Sequence, residues 1–279
     1  MEWSIIPAGQ VWVDPGGPFG LVPEALWQRY QRTNNDHLVP MSLNCLLVRS
    51  GGKTILVDTG LGDKLSEKAQ RQWNLEFPDG TLLENLASHG VQPEDVDIVL
   101  DTHLHADHCG GNTWLDGDNI LPSFPNAEYW VQRLEWADAM HTDERTRSTY
   151  LPDNYAPVWT RGQFRFLHGD TQVTDEVRCI VTPGHTRGHQ SVILEGGERP
   201  VLYLADLATF AAHLERTAWV TAYDVEPLET IRTKRSWQHW ALENRAVLVI
   251  EHDTTMPVGE LVEEEGRLKV LAASSLPPD

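Results

Sequence analysis

The sequence has few cysteines, few basic residues relative to acidic ones, and no long apolar run. Its 279 residues include three cysteines, an odd number that does not suit the disulfide framework of a secreted domain. Lys and Arg total 22 against 41 Asp and Glu, and the formal charge of −19 makes phosphate backbones and anionic membranes poor partners. No segment reaches the roughly 18 apolar residues of a membrane span, and no signal-peptide pattern opens the chain. We therefore expect a cytoplasmic protein that binds neither nucleic acid nor membrane.

The composition is otherwise that of an ordinary globular chain. Hydrophobic residues make up 41% and charged residues 23%, and no repeat, low-complexity tract or long linker divides the sequence. A chain of this length buries roughly 75% of its unfolded surface, which allows one sizeable core. We predict a single domain over residues 1–279, with an ordered Gly- and Pro-rich excursion at about 14–40.

Strand and helix patterns are interspersed along the chain, which predicts an α/β fold. Apolar and β-branched runs predict strands at 4–13, 43–48, 54–58, 96–100, 128–132, 164–167, 177–181, 191–194, 201–204 and 246–250. Helical spacing predicts helices at 24–32, 81–90 and 227–244. These patterns define the kinds of element but do not name the architecture.

The segment 102–111, with the sequence THLHADHCGG, has the highest density of potential metal ligands. His103, His105, Asp107 and His108 fall within six residues, directly after the strand predicted at 96–100. Neutral imidazole and carboxylate groups are good ligands for divalent metals such as zinc. The alternation places His103 and His105 on one side of an extended chain, and the turn that follows aims the other two elsewhere. The pattern therefore indicates two metal ions rather than one, and we expect the neighbouring Cys109 to pack rather than to bind metal.

Further ligand-type residues follow other predicted strands. His185, Asp206 and His252 each come after an apolar run, and Asp58 ends the strand predicted at 54–58. Two metal sites need more ligands than the histidine-rich segment supplies, and these positions offer them. We therefore expect the chain to bring the strand ends that carry these residues together.

These residues resemble the signature of the metallo-β-lactamase superfamily, in which Asp, HxHxDH, His, Asp and His occur in this order. The matching positions here are Asp58, His103 to His108, His185, Asp206 and His252. The resemblance spans most of the chain and implies a four-layer αββα sandwich with a dimetal site at the edge of its two sheets.

The resemblance also implies the ligands of each ion, which are His103, His105 and His185 for the first, Asp107, His108 and His252 for the second, and Asp206 as a bridge. It implies that Asp58 accepts a hydrogen bond from a ligand histidine and so fixes its tautomer. His189 is a candidate to support His185 in the same way. The expected cofactor is two divalent ions per chain, most simply Zn²⁺, although Mn, Co and Fe suit the same ligands.

Within the superfamily, the stretches 56–60, 124–128, 182–191 and 203–206 look like the quorum-quenching N-acyl homoserine lactone lactonases. Typical class B1 β-lactamases carry a cysteine where this chain has Asp206, which argues against a β-lactam substrate. The implied reaction opens the lactone ring by attack of a metal-bridging hydroxide, since coordination lowers the pKa of water to about 7. Asp107 or Asp206 would handle the proton as the catalytic acid or base. A homodimer is a further expectation from this resemblance.

The residues that contact the substrate are less well defined by pattern. Some members of this branch place a tyrosine three positions after the bridging aspartate, where this chain has Thr209 with Phe210 beside it. We expect His213 or Tyr223 to orient the substrate carbonyl instead. Aromatic residues in predicted loops are candidate walls of an acyl channel, and these are Trp27, Tyr30, Tyr155, Trp159, Trp219 and Tyr223.

Other functions remain compatible with the same residues. The first alternative is a phosphotriesterase resembling methyl parathion hydrolase, because the same metal pair can polarise a phosphoryl oxygen. A hydrolase of another lactone or ester is a second alternative. A metal-binding scaffold without catalytic activity is the third, and metal content below one ion per chain would favour it.

Overall fold

The computed structural model describes residues 1–273. Within them the strands are β1 (Glu2–Val13), β2 (Val39–Ser50), β3 (Lys53–Val57), β4 (Ile98–Leu100), β5 (Thr113–Asp116), β6 (Asn119–Pro122), β7 (Glu128–Gln132), β8 (Phe164–Leu167), β9 (Thr171–Thr174), β10 (Val177–Val181), β11 (Gln190–Leu194), β12 (Val201–Tyr203), β13 (Val247–Val249), β14 (Val258–Glu264) and β15 (Arg267–Ala272). The helices are α1 (Gly16–Phe19), α2 (Glu24–Trp27), α3 (Glu67–Trp73), α4 (Leu82–Ser88), α5 (Ala106–Cys109), α6 (Arg133–Met140), α7 (Ala156–Thr160), α8 (Ala211–Glu215) and α9 (Pro227–Asn244). None of these helices has the length and apolarity that a membrane crossing needs.

Most strands belong to two large sheets. A six-stranded sheet has the order β1-β2-β3-β4-β7-β8, a seven-stranded sheet has the order β15-β14-β13-β12-β11-β10-β9, and β5 pairs with β6 in a separate hairpin. Strands β3, β4, β7 and β8 are parallel neighbours, as are β12 and β13. Parallel neighbours end at the same edge of a sheet, so the residues that follow them lie close together.

The two sheets pack face to face around a shared core. Fully buried side chains from the first sheet, such as Leu46, Val57 and Leu100, meet Val192 and Val249 from the second. These strands are buried on both faces, which explains why they are nearly continuous apolar runs in the sequence. Each such side chain contributes roughly 1.5–3 kcal/mol by leaving water.

Helices cover the outer faces of both sheets. Leu82 and Leu86 of α4 pack against the outer face of the six-stranded sheet. Ala241 of α9, with the half-buried Trp237 and Trp240, packs against the outer face of the other sheet. The layers therefore run helix, sheet, sheet, helix, and the expected four-layer αββα sandwich is confirmed.

The predicted elements differ from the structure in a few places. The helix expected at 24–32 is shorter in the structure, where α2 ends at Trp27 and the following residues form turns in which the Tyr30 and Gln31 amides donate to the Trp27 carbonyl. Strands β5, β6, β9, β14 and β15 were not predicted, and the charged side chains of β14 and β15 leave neither of these two with an apolar run. The bounds predicted for β7, β8, β10 and α9 are those observed.

Candidate metal centre

Polar side chains gather at one edge of the sandwich, where the chain leaves the carboxyl ends of strands in both sheets. Asp58 follows β3, His103 follows β4, Asp206 follows β12 and His252 follows β13. His185 lies in the loop between β10 and β11. The topology therefore collects residues that are far apart in sequence at a single edge, as the resemblance implied.

The structure brings together all seven residues expected to bind metal. They form two groups, one of His103, His105, His185 and Asp206 and the other of Asp107, His108 and His252, and one ligand atom from each residue of a group lies within 4.8 Å of the others. The Asp206 carboxylate faces both groups. Its Oδ2 lies 3.0 Å from His185 Nε2 and its Oδ1 lies 3.3 Å from His252 Nε2.

The donor atoms of the centre fit a pair of divalent cations. Within residues 1–273, the buried Nε2 of His103 has no hydrogen-bond partner, and it faces Asp206 Oδ2 at 3.9 Å. Nε2 of His185 lies 3.0 Å from Nδ1 of His105. Buried polar atoms are rarely left without partners unless an ion or water serves them. Converging imidazole and carboxylate atoms of this kind are a typical zinc-binding set.

Charge in the centre is balanced by protons on some imidazoles and not on others. Burial, together with neighbouring histidines, lowers the pKa of His103 well below its ordinary value. Burial alone would also lower the pKa of His185, but the carboxylates of Asp206 and Asp224 raise it to about 10. Burial also lowers the pKa of His252, but Asp206 and Glu251 together raise it to about 9. Protons therefore supply positive charge where bound cations would otherwise supply it.

Asp58 supports one histidine from each group. Its Oδ2 accepts a hydrogen bond from His108 Nδ1 at 3.1 Å and another from the Thr102 hydroxyl at 2.7 Å. The same hydroxyl oxygen lies 3.1 Å from His103 Nδ1. Burial and the nearby Glu251 raise the pKa of Asp58 to about 6. Its backbone has φ 56°, a strained left-handed conformation of the kind that clusters at functional sites.

His189 supports the loop of Asp206 rather than the ring of His185. Its Nε2 accepts a hydrogen bond from the Asp206 amide at 3.1 Å, and its Nδ1 lies 3.1 Å from the Thr182 carbonyl. The ring centroids of His189 and His185 are 6.0 Å apart. The residue therefore lies beside the centre, where it fixes the backbone that carries Asp206.

Asp224 is a residue of the centre that the sequence analysis missed. Its Oδ1 lies 2.9 Å from His185 Nδ1 and also accepts a hydrogen bond from the Thr221 hydroxyl at 2.8 Å. It therefore holds His185 as Asp58 holds His108. Asp224 lies in a loop with no predicted strand before it, so nothing in the local sequence distinguishes it from a surface acid.

Glu135 is a second missed residue. Its buried carboxylate accepts hydrogen bonds from the Leu104 amide at 2.9 Å, the Tyr150 hydroxyl at 2.8 Å and the Thr186 hydroxyl at 2.5 Å. It ties the backbone between two histidines of the first group to the residue that follows His185. A glutamate in the first turn of a helix normally faces solvent, so the sequence does not reveal this role.

The two glycines after the histidine-rich segment permit a close approach of two chain segments. A Cβ on Gly110 would lie 2.1 Å from the Leu61 carbonyl oxygen, and one on Gly111 would lie 2.3 Å from that of Thr59. Any side chain at either position would therefore displace the loop that follows Asp58. Cys109 is buried, and its thiol donates to the Leu104 carbonyl at 3.3 Å, which is a packing role.

A cavity of about 80 Å³ opens beside the first group of ligands. Its polar lining residues include Asp107, Asp206, Thr209 and Tyr223, and its apolar lining residues include Trp73, Val11, Val13 and Met41. The Thr209 hydroxyl donates to Asp206 Oδ1 at 3.3 Å. Burial, with Asp107 and Asp206 nearby, raises the pKa of Tyr223, which keeps its phenol protonated as a hydrogen-bond donor.

Three of the expected substrate-binding residues lie in the core instead of the cavity wall. Trp27 and Phe210 stack on Phe19 with ring centroids 5.0 and 5.5 Å away, because the excursion after β1 folds back onto α8. His213 uses both ring nitrogens, accepting from the Phe210 amide at 3.1 Å and donating to the Pro18 carbonyl at 3.0 Å. Of the six aromatic residues proposed as channel walls, Tyr223 alone lines this cavity in the described part of the chain.

A two-sheet sandwich with clustered His and Asp side chains at its edge is the arrangement of a metal-dependent hydrolase. Residues 38–230 match the family model of the metallo-beta-lactamase superfamily. The chain belongs to this superfamily and is a metal-dependent hydrolase.

Known proteins are similar to this chain in sequence and in fold. An N-acyl homoserine lactonase of Bacillus sp. is 29% identical over 201 residues, which cover 68% of this chain and 73% of that protein. A crystal structure of a probable metal-dependent hydrolase from Staphylococcus aureus has a TM-score of 0.88 at 25% identity and covers 99% of this chain and 98% of that one. The dizinc quorum-quenching lactonase AidC has a TM-score of 0.80 at 19% identity and covers 98% of this chain and 95% of that one. The likeness to AidC shows the fold alone.

Proposed function

We propose that the chain opens the lactone ring of N-acyl homoserine lactones. The observation that carries the proposal is the centre itself, in which one carboxylate, Asp206, faces two groups of ligands beside a cavity. The cavity is lined by polar residues that suit a lactone ring and by apolar residues, including Trp73, that suit an acyl chain. The sequence similarity to an N-acyl homoserine lactonase supports this choice of substrate.

The proposed ligands are His103, His105 and His185 for one ion, Asp107, His108 and His252 for the other, and Asp206 for both. When bound, two divalent ions, for which we propose Zn²⁺, supply Lewis acidity and lower the pKa of coordinated water from 15.7 to about 7. Asp107 or Asp206 accepts the proton of the attacking water and delivers it to the ring oxygen. Water adds to the carbonyl carbon, the bond from that carbon to the ring oxygen breaks, and the product is the open hydroxy acid.

Tyr223 is proposed to donate a hydrogen bond to the substrate carbonyl. We expect Tyr223→Phe to lower kcat/KM on the order of 10²-fold, as loss of one donor to a developing oxyanion does, with unchanged metal content. Tyr30→Phe is the matched control, because Tyr30 does not line the cavity. Its hydroxyl accepts a hydrogen bond from Arg216 Nε at 3.0 Å. Equal activity of the two variants would exclude this role for Tyr223.

Trp73 is proposed to contact the acyl chain. We expect Trp73→Ala to raise KM for long acyl chains more than for short ones, because it removes part of the apolar lining of the cavity. Trp27→Ala is the matched control. Since Trp27 is 5% exposed and stacked on Phe19, its loss should cost about 3–5 kcal/mol of stability without changing chain-length preference. Steady-state kinetics on two acyl lengths and thermal unfolding separate the two results.

The substrate itself is tested by measuring kcat/KM of the zinc-loaded protein on a medium-chain acyl homoserine lactone. Ring opening is followed by proton release, and the open acid is identified by mass. A value above about 10⁴ M⁻¹s⁻¹ lies in the normal range of enzymes and supports the proposal. A much lower value at full metal occupancy would indicate that the substrate is another lactone, an ester or a phosphotriester. Those substrates are assayed in parallel.

Three expectations about the whole chain stay predictions. They are the single domain over residues 1–279, the cytoplasmic location and the homodimer. The mass of the protein in solution, measured by light scattering, tests the homodimer directly.

A further inference from the structure

Glu251 is a buried carboxylate that the proposed ligand set does not use. It stands between β13 and His252, and its side chain is fully buried. Within residues 1–273, neither of its carboxylate oxygens has a hydrogen-bond partner. The nearby Tyr203 hydroxyl donates to the Asn44 carbonyl at 3.0 Å instead. A carboxylate that loses its hydration without gaining donors destabilises a fold, so its presence here requires an explanation.

The atom that Glu251 faces is Nδ1 of His108. Its Oε2 lies 3.2 Å from this nitrogen, on which Asp58 Oδ2 also converges at 3.1 Å. The opposite ring nitrogen, Nε2, lies 3.5 Å from Asp206 Oδ2 on the side of the metal ligands. The imidazole of His108 therefore has two carboxylates beside Nδ1 and the other proposed ligands beside Nε2.

The two carboxylates beside Nδ1, Asp58 and Glu251, differ in their other hydrogen bonds. Asp58 also accepts two hydrogen bonds from Thr102, at 2.8 and 2.7 Å, so its charge is divided among several donors. Glu251 has no such donors, and its charge is directed at His108. His185, the corresponding ligand of the first group, has one supporting carboxylate, Asp224. The second group therefore has an additional negative charge behind one of its ligands.

We propose that Glu251 is a positioning residue whose charge, beside the Nδ1 atom that donates to Asp58, strengthens binding of the ion at Asp107, His108 and His252. The inference rests on the ligand assignment in the proposed function. Asp58 accepts the Nδ1 proton, which fixes the tautomer and turns the Nε2 lone pair toward the metal. The charge of Glu251 beside the same nitrogen makes that lone pair more basic. Glu251 acts on one of the two ions because it touches a ligand of one group.

The test is the zinc affinity of Glu251→Gln, measured by competition with a chromophoric chelator in the absence of substrate. Glutamine keeps the shape and removes the charge. We expect one of the two ions to bind about 10- to 100-fold more weakly, as losses of such supporting partners do, and the other to be unchanged. The visible spectrum of the Co²⁺-loaded variant should change for that ion alone.

Asp224→Asn is the matched variant, since it removes the carboxylate behind His185 in the other group. It should weaken the other ion, and the double variant should weaken both. Glu251→Asp, which withdraws the charge by one methylene, should give a smaller loss at the same ion as Glu251→Gln. Circular dichroism of each metal-free variant shows whether it folds. If Glu251→Gln does not fold, the affinity of Glu251→Asp is the test.

Several results would overturn the inference. Zinc affinities within twofold of wild type in a folded variant would exclude a role for Glu251 in metal binding. Equal weakening of both ions would show that Glu251 does not act on one ion alone. A third ion in the wild type that Glu251→Gln lacks would make Glu251 itself a ligand. Fewer than two ions in the wild type would overturn the metal centre as well. Inactivity toward lactones with intact affinities would overturn the proposed substrate alone.

Discussion

Replacing Asp206 with alanine should reduce turnover to the background rate and weaken both metal ions together. The reason is geometric, because Oδ2 lies 3.0 Å from a ligand of the first group and Oδ1 lies 3.3 Å from a ligand of the second. Loss of a supporting partner weakens metal binding by roughly 10- to 100-fold, so loss of a shared ligand should weaken it further. Metal content after gel filtration and kcat/KM at saturating zinc measure the two effects.

The matched control is Asp116→Ala, in which an exposed aspartate of β5 is removed. It changes the net charge equally and should leave metal content and turnover unchanged. Loss of a single ion from Asp206→Ala would contradict the bridging role, and full activity would contradict any role of Asp206 as a ligand. The comparison therefore separates a shared ligand from a nearby charge.

The sequence predicted which residues meet at the centre because local pattern and topology coincide at their positions. His103, Asp206 and His252 each come three residues after the end of a short, buried strand that has a parallel neighbour. A buried strand is recognisable from its apolar run, and parallel strands end at a common edge. The order of the strands in the two sheets depends on contacts between distant segments, so the αββα architecture came from the family resemblance.

Residues whose partners are distant in sequence could not be predicted. Glu135 acts through contacts with Leu104 and Thr186, which lie 31 and 51 residues away. Trp27 shows the opposite case, since an aromatic residue in a Gly- and Pro-rich loop can line a cavity or enter the core. Its packing on Phe19 decides the outcome, and this contact leaves no periodic pattern in the sequence.

The metal-free protein should lose stability as the pH rises from about 6.5 to about 10. Burial lowers both pKa values, but Asp206 and Asp224 raise the pKa of His185 to about 10, and Asp206 and Glu251 raise that of His252 to about 9. A base with a raised pKa in the folded state stabilises fully below its unfolded pKa, about 6.5, and this contribution is lost as the pH rises through the folded pKa. His103, whose pKa is lowered, is neutral in both states over this range and adds nothing there.

Bound metal should remove this dependence, because ligand imidazoles bind metal in their neutral form. Protons then compete with the metal, and binding tightens as the pH rises. At free zinc about 1,000-fold above Kd, binding adds about 4.1 kcal/mol, which raises Tm on the order of 10 °C for a chain of this size. Thermal unfolding of chelator-treated and zinc-loaded protein, at about pH 6.5 and about pH 9.5, should therefore show a gap that widens with pH.

The same competition governs activity, which should fall below about pH 6 as the ligand histidines take up protons. Asp224→Asn distinguishes this explanation from a general effect of pH on the fold. It removes one of the carboxylates that raise the pKa of His185, so the metal-free variant should lose less stability between about pH 6.5 and about pH 10 than the wild type. A gap between the two forms that stays constant with pH, or full activity at about pH 4, would contradict proton displacement by metal at this centre.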